Sequence, residues 1–269
     1  MRCALALLLA LGACSSSQPQ PLRVCADPNN MPFSNQRGEG FENKLVDLIA
    51  AELGRPVTYT WWAQRRGNVR ETLNAGLCDL IPGTAAGLEM LATTQPYYAS
   101  TYVAVTREGE PPVASFDDPR LRSLRIGVQM IGDDFSNTPP ADALSHRGIV
   151  DNVRGYMVYG DYSQPDPHAR IVRAVADGEI DVAFVWGPVG GYFAPRQNRR
   201  LHVEPLRTRP EERLGFAIAM GARRGDDAFR TDIQQVLGRK QAEIARLLAS
   251  YHVPTIPIEA AAPAEDDDD

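Results

Sequence analysis

Leu73-Asn74-Ala75-Gly76-Leu77-Cys78-Asp79-Leu80-Ile81 reads as a helix end, a glycine stop, and an Asp ahead of a hydrophobic strand. Val175-Ala176-Asp177-Gly178-Glu179-Ile180-Asp181-Val182-Ala183 repeats that order 102 residues later. Leu22-Arg23-Val24 returns at the same offset as Leu124-Arg125-Ile126. One echo is compatible with chance. Two at one offset predict two lobes of similar α/β build. A repeat of only two units indicates paired lobes and not a solenoid.

Working outward, Leu22 to Ala26 has strand composition and opens into the turn cluster Asp27-Pro28-Asn29-Asn30. Phe41, Leu45, Leu48, Ile49 and Leu53 recur at helical spacing, and Gly54 follows as a stop. Val57, Tyr59 and Trp61 alternate as in a half-buried strand. Val69 to Ala75 is predicted as a second helix, and Cys78 to Ile81 as a short buried strand. Strands alternating with helices across short loops imply right-handed crossovers and a parallel sheet. His168 to Ala176 is predicted as the helix ahead of the second echo. Beyond it come an apolar strand, Leu214 to Met220, and one long helix, Phe229 to Tyr251, weakened at Gly238. That last strand and helix return most simply to the first lobe. The expected lobes are therefore residues 22–105 with 210–258, and residues 106–209. Two crossing segments make a hinge, with a cleft between the lobes.

A chain of 269 residues can bury a full core without a metal or a disulfide scaffold. Its net charge of −6 argues against a nucleic-acid partner, which calls for a basic footprint. The two ends differ from the middle. Met1-Arg2 precedes an apolar run over residues 3–13, too short for the roughly 20 residues of a membrane-spanning helix. It reads as a secretory signal. Leu11-Gly12-Ala13-Cys14 resembles a bacterial lipobox, in which Cys14 carries a diacylglycerol. Residues 14–21 then read as a Ser- and Pro-rich tether, and the resemblance, with Ser15 beside the cysteine, implies sorting to the outer membrane. The membrane is met only through that anchor. Residues 259–269 end in Glu265-Asp266-Asp267-Asp268-Asp269, whose charges repel, and are expected to be a disordered acidic tail. Without it the body is close to neutral. Cys3 leaves with the signal and Cys14 is lipidated. Cys25 and Cys78 remain in an oxidising compartment, and the even remainder suggests a disulfide over two buried free thiols.

Several strings resemble known families. Met31-Pro32-Phe33-Ser34, Gly40-Phe41-Glu42-Asn43, Ala75-Gly76-Leu77-Cys78-Asp79, Gln95-Pro96-Tyr97-Tyr98 and the run from Trp186 to Tyr192 resemble periplasmic solute-binding proteins of family three. That resemblance implies the bilobed type II periplasmic-binding-protein fold. The string Val24 to Asn35, with Tyr59-Thr60-Trp61-Trp62, Gln64-Arg65-Arg66-Gly67 and Thr72-Leu73-Asn74-Ala75-Gly76, is similar to a narrower group. Its members accompany pyrroloquinoline-quinone-dependent methanol or alcohol dehydrogenases. Membership implies a role near such a dehydrogenase, in maturation or activation.

Amino-acid-binding members place an Arg nine residues before the Pro of the Pro-Tyr-Tyr motif, to grip the ligand carboxylate. That position here is Gly87, and no Arg or Lys lies between Ile81 and Ser100. They place an Asp two residues before the Pro of the second-lobe motif, and here Trp186 stands there. A zwitterion entering such a cleft loses water without regaining paired charges, so a free amino acid is a poor ligand. The cleft residues expected instead are Phe33, Trp61, Trp62, Tyr97, Tyr98, Trp186, Tyr192 and Phe193. Thr84, Asp27, Asn29, Asn30, Arg65 and Arg66 are counted with them. Such a cleft stacks a flat ring or receives a protruding part of a protein. Asp27, Asn29 and Asn30 serve either a ligand or their own turn. The Arg65-Arg66 pair suits a carboxylate-rich ligand or an acidic partner surface, or is simply solvated. No catalytic constellation, metal-ligand spacing or cofactor motif emerges. His146, His168, His202 and His252 are scattered, and Asp117-Asp118 and Asp133-Asp134 sit in polar turns. The expectation is a non-enzymatic, lipid-anchored periplasmic accessory protein whose partner is the dehydrogenase. The alternatives are a transporter-binding protein for an uncharged or aromatic small molecule, and a carrier of pyrroloquinoline quinone.

Overall fold

The computed structural model describes residues 19–130, 137–157, 162, 164–207, 209 and 212–261. The signal, Cys14, Asp133-Asp134 and the acidic run from Glu265 lie outside the described residues.

The first segment supplies β1 (Leu22–Ala26), the two-residue strands β2 (Asn29–Asn30) and β3 (Ser34–Asn35), and α1 (Phe41–Leu53). It continues through β4 (Val57–Trp61), α2 (Asn68–Glu71), β5 (Leu80–Ala85), β6 (Ala92–Thr93) and β7 (Tyr98–Arg107). The second comprises β8 (Ile126–Met130), α3 (Pro139–Ser145), β9 (Val153–Met157), α4 (Ala169–Ala176), β10 (Val182–Trp186), α5 (Gly187–Phe193) and β11 (Leu201–Pro205). The chain closes with β12 (Gly215–Ala222), α6 (Asp227–Arg239) and α7 (Gln241–Ser250).

The echo in sequence is an echo in topology. One half of the sheet runs β4-β1-β5-β12-β7, and the other runs β9-β8-β10-β7-β11. In each, three parallel strands are followed by one antiparallel strand and then by one that runs with the first three. The register keeps the offset: Val24 faces Leu80, and Ile126 faces Val182. β7 joins the halves, since Tyr98 to Thr101 pair with β12 while Tyr102 to Arg107 pair with β10 and β11.

The repeated Asp is a structural hub. Arg23 grips Asp79 through Nε (2.8 Å) and Nη2, and Arg125 grips Asp181 the same way (Nε 3.0 Å). A second guanidinium closes each clamp. Arg223 donates to the carbonyls of Leu73 and Cys78 and reaches Asp79. Arg107 donates to those of Val175 and Ile180 and to Asp181. The carbonyls of the turns ahead of β5 and β10 thus find guanidinium donors twice, by the same device. The Arg125 hydrogen bond, working against burial, holds Asp181 well below the usual carboxylate range. Gly76 and Gly178 take the left-handed conformation in the two turns that lead into these strands (φ 74° and 77°), which only glycine adopts without cost.

The two lobes differ where the echo breaks. Cys25 and Cys78 form a disulfide, with Cα atoms 5.6 Å apart. Their counterparts are Gly127 and Ile180, where the Ile180 side chain fills the space a Cβ at Gly127 would need.

Two expected helices are shorter than their apolar pattern. The second spans only Asn68–Glu71, because the backbone leaves helical geometry at Thr72, whose hydroxyl folds back onto the Asn68 carbonyl. The long C-terminal helix divides at Lys240 into α6 and α7. There the Lys240 ammonium bridges Glu52 on α1 (2.8 Å) and Glu243 (3.1 Å), and the two apolar faces turn separately onto the first-lobe core. That core is Leu22, Val24, Phe41, Leu45, Ile49, Leu80, Ile233, Val236, Ile244 and Leu248. The second lobe buries one cluster under α4 and α5 and another around Phe116, Leu121, Leu144 and Phe184.

Candidate functional site

The segment after β1 crosses to the other lobe. Asp27 accepts from the backbone N–H of Asn29 (2.8 Å) and of Gln64 (2.7 Å), which fixes a tight turn. From that turn Asn29 Nδ2 donates to the Gln164 carbonyl (2.8 Å), and the Asp166 N–H donates to Asn29 Oδ1 (3.2 Å). Tyr162 offers its hydroxyl to Asp27. Met31 is 4% exposed and sits in the second-lobe cluster with Val103, Tyr156, Ile171 and Val189. Asp27, Asn29 and Asn30 therefore make a turn and also hold the lobes together.

A chain of side chains continues across the cleft floor. Gln64 Nε2 donates to the Gly83 carbonyl, and Gln64 Oε1 accepts from Asn30 Nδ2 (3.0 Å). His168 Nε2 donates to Asn30 Oδ1 (2.6 Å), and His168 Nδ1 accepts from Gln129 Nε2 (3.0 Å). Gln129 Oε1 accepts from the Trp186 N–H (2.7 Å). The donor order requires a neutral imidazole with its proton on Nε2. Burial agrees, lowering His168 to about 4.

Above this floor lies a cavity of about 240 Å³. Phe33, Tyr98, Tyr102, Trp186 and Phe216 supply aromatic wall, and Glu42, Thr84, Gln64, Asn30, Gln129 and His168 supply polar atoms. Among the described lining residues there is no Arg or Lys. Glu42, from the first turn of α1, is 5% exposed, and its carboxyl lies against Gly83, where a Cβ would collide with it. Burial first, and the charge of Asp27 second, push Glu42 up to about 8. Burial likewise raises the Tyr98 hydroxyl well above its ordinary value.

The structure brings Asn30, Phe33, Thr84, Tyr98 and Trp186 together in this wall. Other expected cleft residues stand elsewhere. Trp61 stacks on Tyr59 along β4 (4.5 Å between centroids), and Trp62 is 40% exposed. Arg65 and Arg66 are exposed in the turn after β4. Tyr97 donates to the Pro82 carbonyl and faces a groove beside α6 and α7. Tyr192 stacks on Tyr251 (5.6 Å) under the Arg196 guanidinium, and Phe193 is buried behind it. Sequence reasoning missed Glu42, His168, Gln129, Gln64 and Met31. For Glu42 a signal existed: it precedes Leu45 and Val46 by one turn and Ile49 by two, so it falls on the buried stripe of α1.

The model of the bacterial extracellular solute-binding proteins, family 3, matches residues 22–253. The chain belongs to that family. Protein MoxJ of Methylorubrum extorquens is 29% identical over 253 residues, covering 88% of this chain and 82% of that protein. The crystal structure of the periplasmic binding protein XoxJ from Methylobacterium extorquens superposes with a TM-score of 0.73 at 36% identity, covering 88% of this chain and 99% of that one. That of MxaJ from Methlophaga aminisulfidivorans gives 0.76 at 23% identity, covering 87% and 100%, and speaks to the fold alone. These establish the bilobed type II arrangement of the family, with α/β lobes, a hinge and an interlobe cleft. In this family-3 member the cleft is bridged by the chain's own residues.

Removal of one such bridge is testable. Met31→Ala is expected to lose about 2 kcal/mol of interlobe apolar burial. The mutant should populate a more open form, seen as a larger radius of gyration in small-angle X-ray scattering. An unchanged scattering profile would count against the bridge.

Proposed function

We propose that this protein is a non-enzymatic periplasmic accessory protein of a pyrroloquinoline-quinone-dependent methanol or alcohol dehydrogenase. In this reading it is held by a lipid on Cys14 and engages the dehydrogenase through the rim of its cleft during maturation or activation. The likeness to proteins named MoxJ and XoxJ, together with the Val24 to Asn35 string, supports the association. The observation that carries the accessory role is Met31, buried in the opposite lobe. A transport receptor closes on its solute, whereas here the turn at 27–31 supplies closing contacts itself. Trp62, Arg65 and Arg66 are exposed in the stretch around Gln64, which itself lines the cavity, and in this reading they form the rim that a partner reaches. Carriage of pyrroloquinoline quinone inside the cleft is disfavoured. That cofactor bears three carboxylates, and the described cavity wall offers Glu42 and no cation.

Affinity capture with the purified protein is the test. The dehydrogenase is expected to co-purify with the wild type, and less of it with a Trp62→Ala/Arg65→Ala/Arg66→Ala variant. Loss of about tenfold in recovered dehydrogenase is expected if these side chains are interface anchors. Normal dehydrogenase activity in a strain lacking the protein would overturn the proposal.

A further inference from the structure

The cavity holds one feature that neither the interlobe bridge nor a partner surface explains. Glu42 is almost fully buried, yet among the described residues no group donates a hydrogen bond to its carboxyl. Its carboxyl faces the cavity, so whatever occupies the cavity, water or ligand, supplies its donors. The ring faces of Phe33, Tyr98, Tyr102, Trp186 and Phe216 share its cavity, and aromatic faces attract cations. No described Arg or Lys competes for the carboxylate or welcomes an anion. The two charge partners that would hold a zwitterion are replaced by Gly87 and Trp186. The volume leaves room for about eight water-sized groups, less than a drug-sized ligand needs.

We infer that the cleft binds a small protonated alkylamine lacking a carboxylate, its N–H donors on Glu42 and its alkyl stem among the rings. The inference is independent of the dehydrogenase partnership. Binding draws the proton from Glu42, and the ammonium keeps its own, so one proton goes to solvent for each amine bound below the carboxyl's titration. Asp27 is the other acid near Glu42. It sits in the turn after β1, where burial raises it and the N–H groups of Gln64 and Asn29 oppose that rise. Tyr59 on β4 and Tyr97 and Tyr98 at the start of β7 surround Glu42 as neutral phenols, and His168 on the far side is neutral. Glu42 is thus the group in this set that titrates between neutrality and about pH 9, while an alkylammonium stays charged up to about pH 10.

Calorimetry with n-butylammonium chloride tests this. Binding is expected to strengthen roughly fiftyfold to hundredfold between about pH 6 and about pH 9, following ionisation of Glu42. Near neutrality, titration in buffers of different ionisation enthalpy should show about one proton released per amine bound. Glu42→Gln, of the same shape, is expected to remove the pH dependence and weaken binding at about pH 9 by more than tenfold. Butyrate should not bind. Three outcomes would overturn the inference: no heat with millimolar butylammonium at alkaline pH, equal affinity for butyrate, or binding in the wild type without proton release. The last needs no mutant, so a variant that fails to fold does not decide the matter.

Discussion

Glu42→Gln is expected to stabilise the protein at about pH 9 by on the order of 4 kcal/mol, and to change little at about pH 4. Burial and the nearby Asp27 charge raise the folded-state carboxyl to about 8, against 4.5 for a free one. Over the interval between those values the folded chain holds a proton that the unfolded chain has released. Stability therefore falls as pH rises through it, and the glutamine, which never ionises, escapes the loss. His168 acts at the other end. Its buried imidazole sits at about 4, against 6.5 when exposed. The unfolded chain takes up that proton first, so stability falls as pH drops from about 6.5 to 4, by about 3 kcal/mol. Where the two windows overlap, at about pH 5 to 6, the opposing slopes cancel and a plateau is expected. Urea denaturation across pH, in wild type and Glu42→Gln, measures both arms. Superimposable profiles above neutrality would mean that Glu42 is solvated and not enclosed.

The Cys25→Ala/Cys78→Ala double substitution is expected to cost about 4 kcal/mol, from the freedom it returns to the unfolded chain. The disulfide closes a 53-residue separation that contains α1, β4 and α2. Both sulfurs lie in a small cluster with Leu73, Ile81 and Leu91, so the variant also loses some packing there. The fold itself does not require the bond, because the second lobe reaches the same geometry with Gly127 and Ile180. Cys25→Gly/Cys78→Ile, which copies that pair, is accordingly expected to lose less than the double alanine. Chemical denaturation of the three proteins under oxidising conditions gives the comparison. A double alanine as stable as the wild type would show that the loop is already restrained when unfolded.

How much of this could be read beforehand depends on the range of the interaction. The offset of 102 residues gave the paired lobes, and the structure extends it to register, turn glycines and both Arg–Asp clamps. Those features are legible because each rests on residues that recur in the same order along the chain. The helix at 68–71 is shorter than its apolar pattern because Val69 and Leu73 pack into the small cluster around the disulfide without a continuous helix between them. The break at Lys240 was invisible because it depends on Glu52, far away in sequence.

The candidate site divides the same way. Sequence alone determined the paired α/β lobes, which follow from a pattern repeated along the chain, and suggested the Cys25–Cys78 pairing; the type II fold and the two missing amino-acid-binding charges were legible only through the resemblance to family-three proteins. It also named Asn30, Phe33, Thr84, Tyr98 and Trp186, which lie near strand ends or the turn that follows one. Only the tertiary structure decided that Met31 crosses to the other lobe, that His168 is neutral between Asn30 and Gln129, and that Glu42 is enclosed without a donor. A residue's burial and its proton are set by what the fold packs against it: Gly83 and Tyr98 against Glu42 within one lobe, and Asn30 against His168 from 138 residues away in the other.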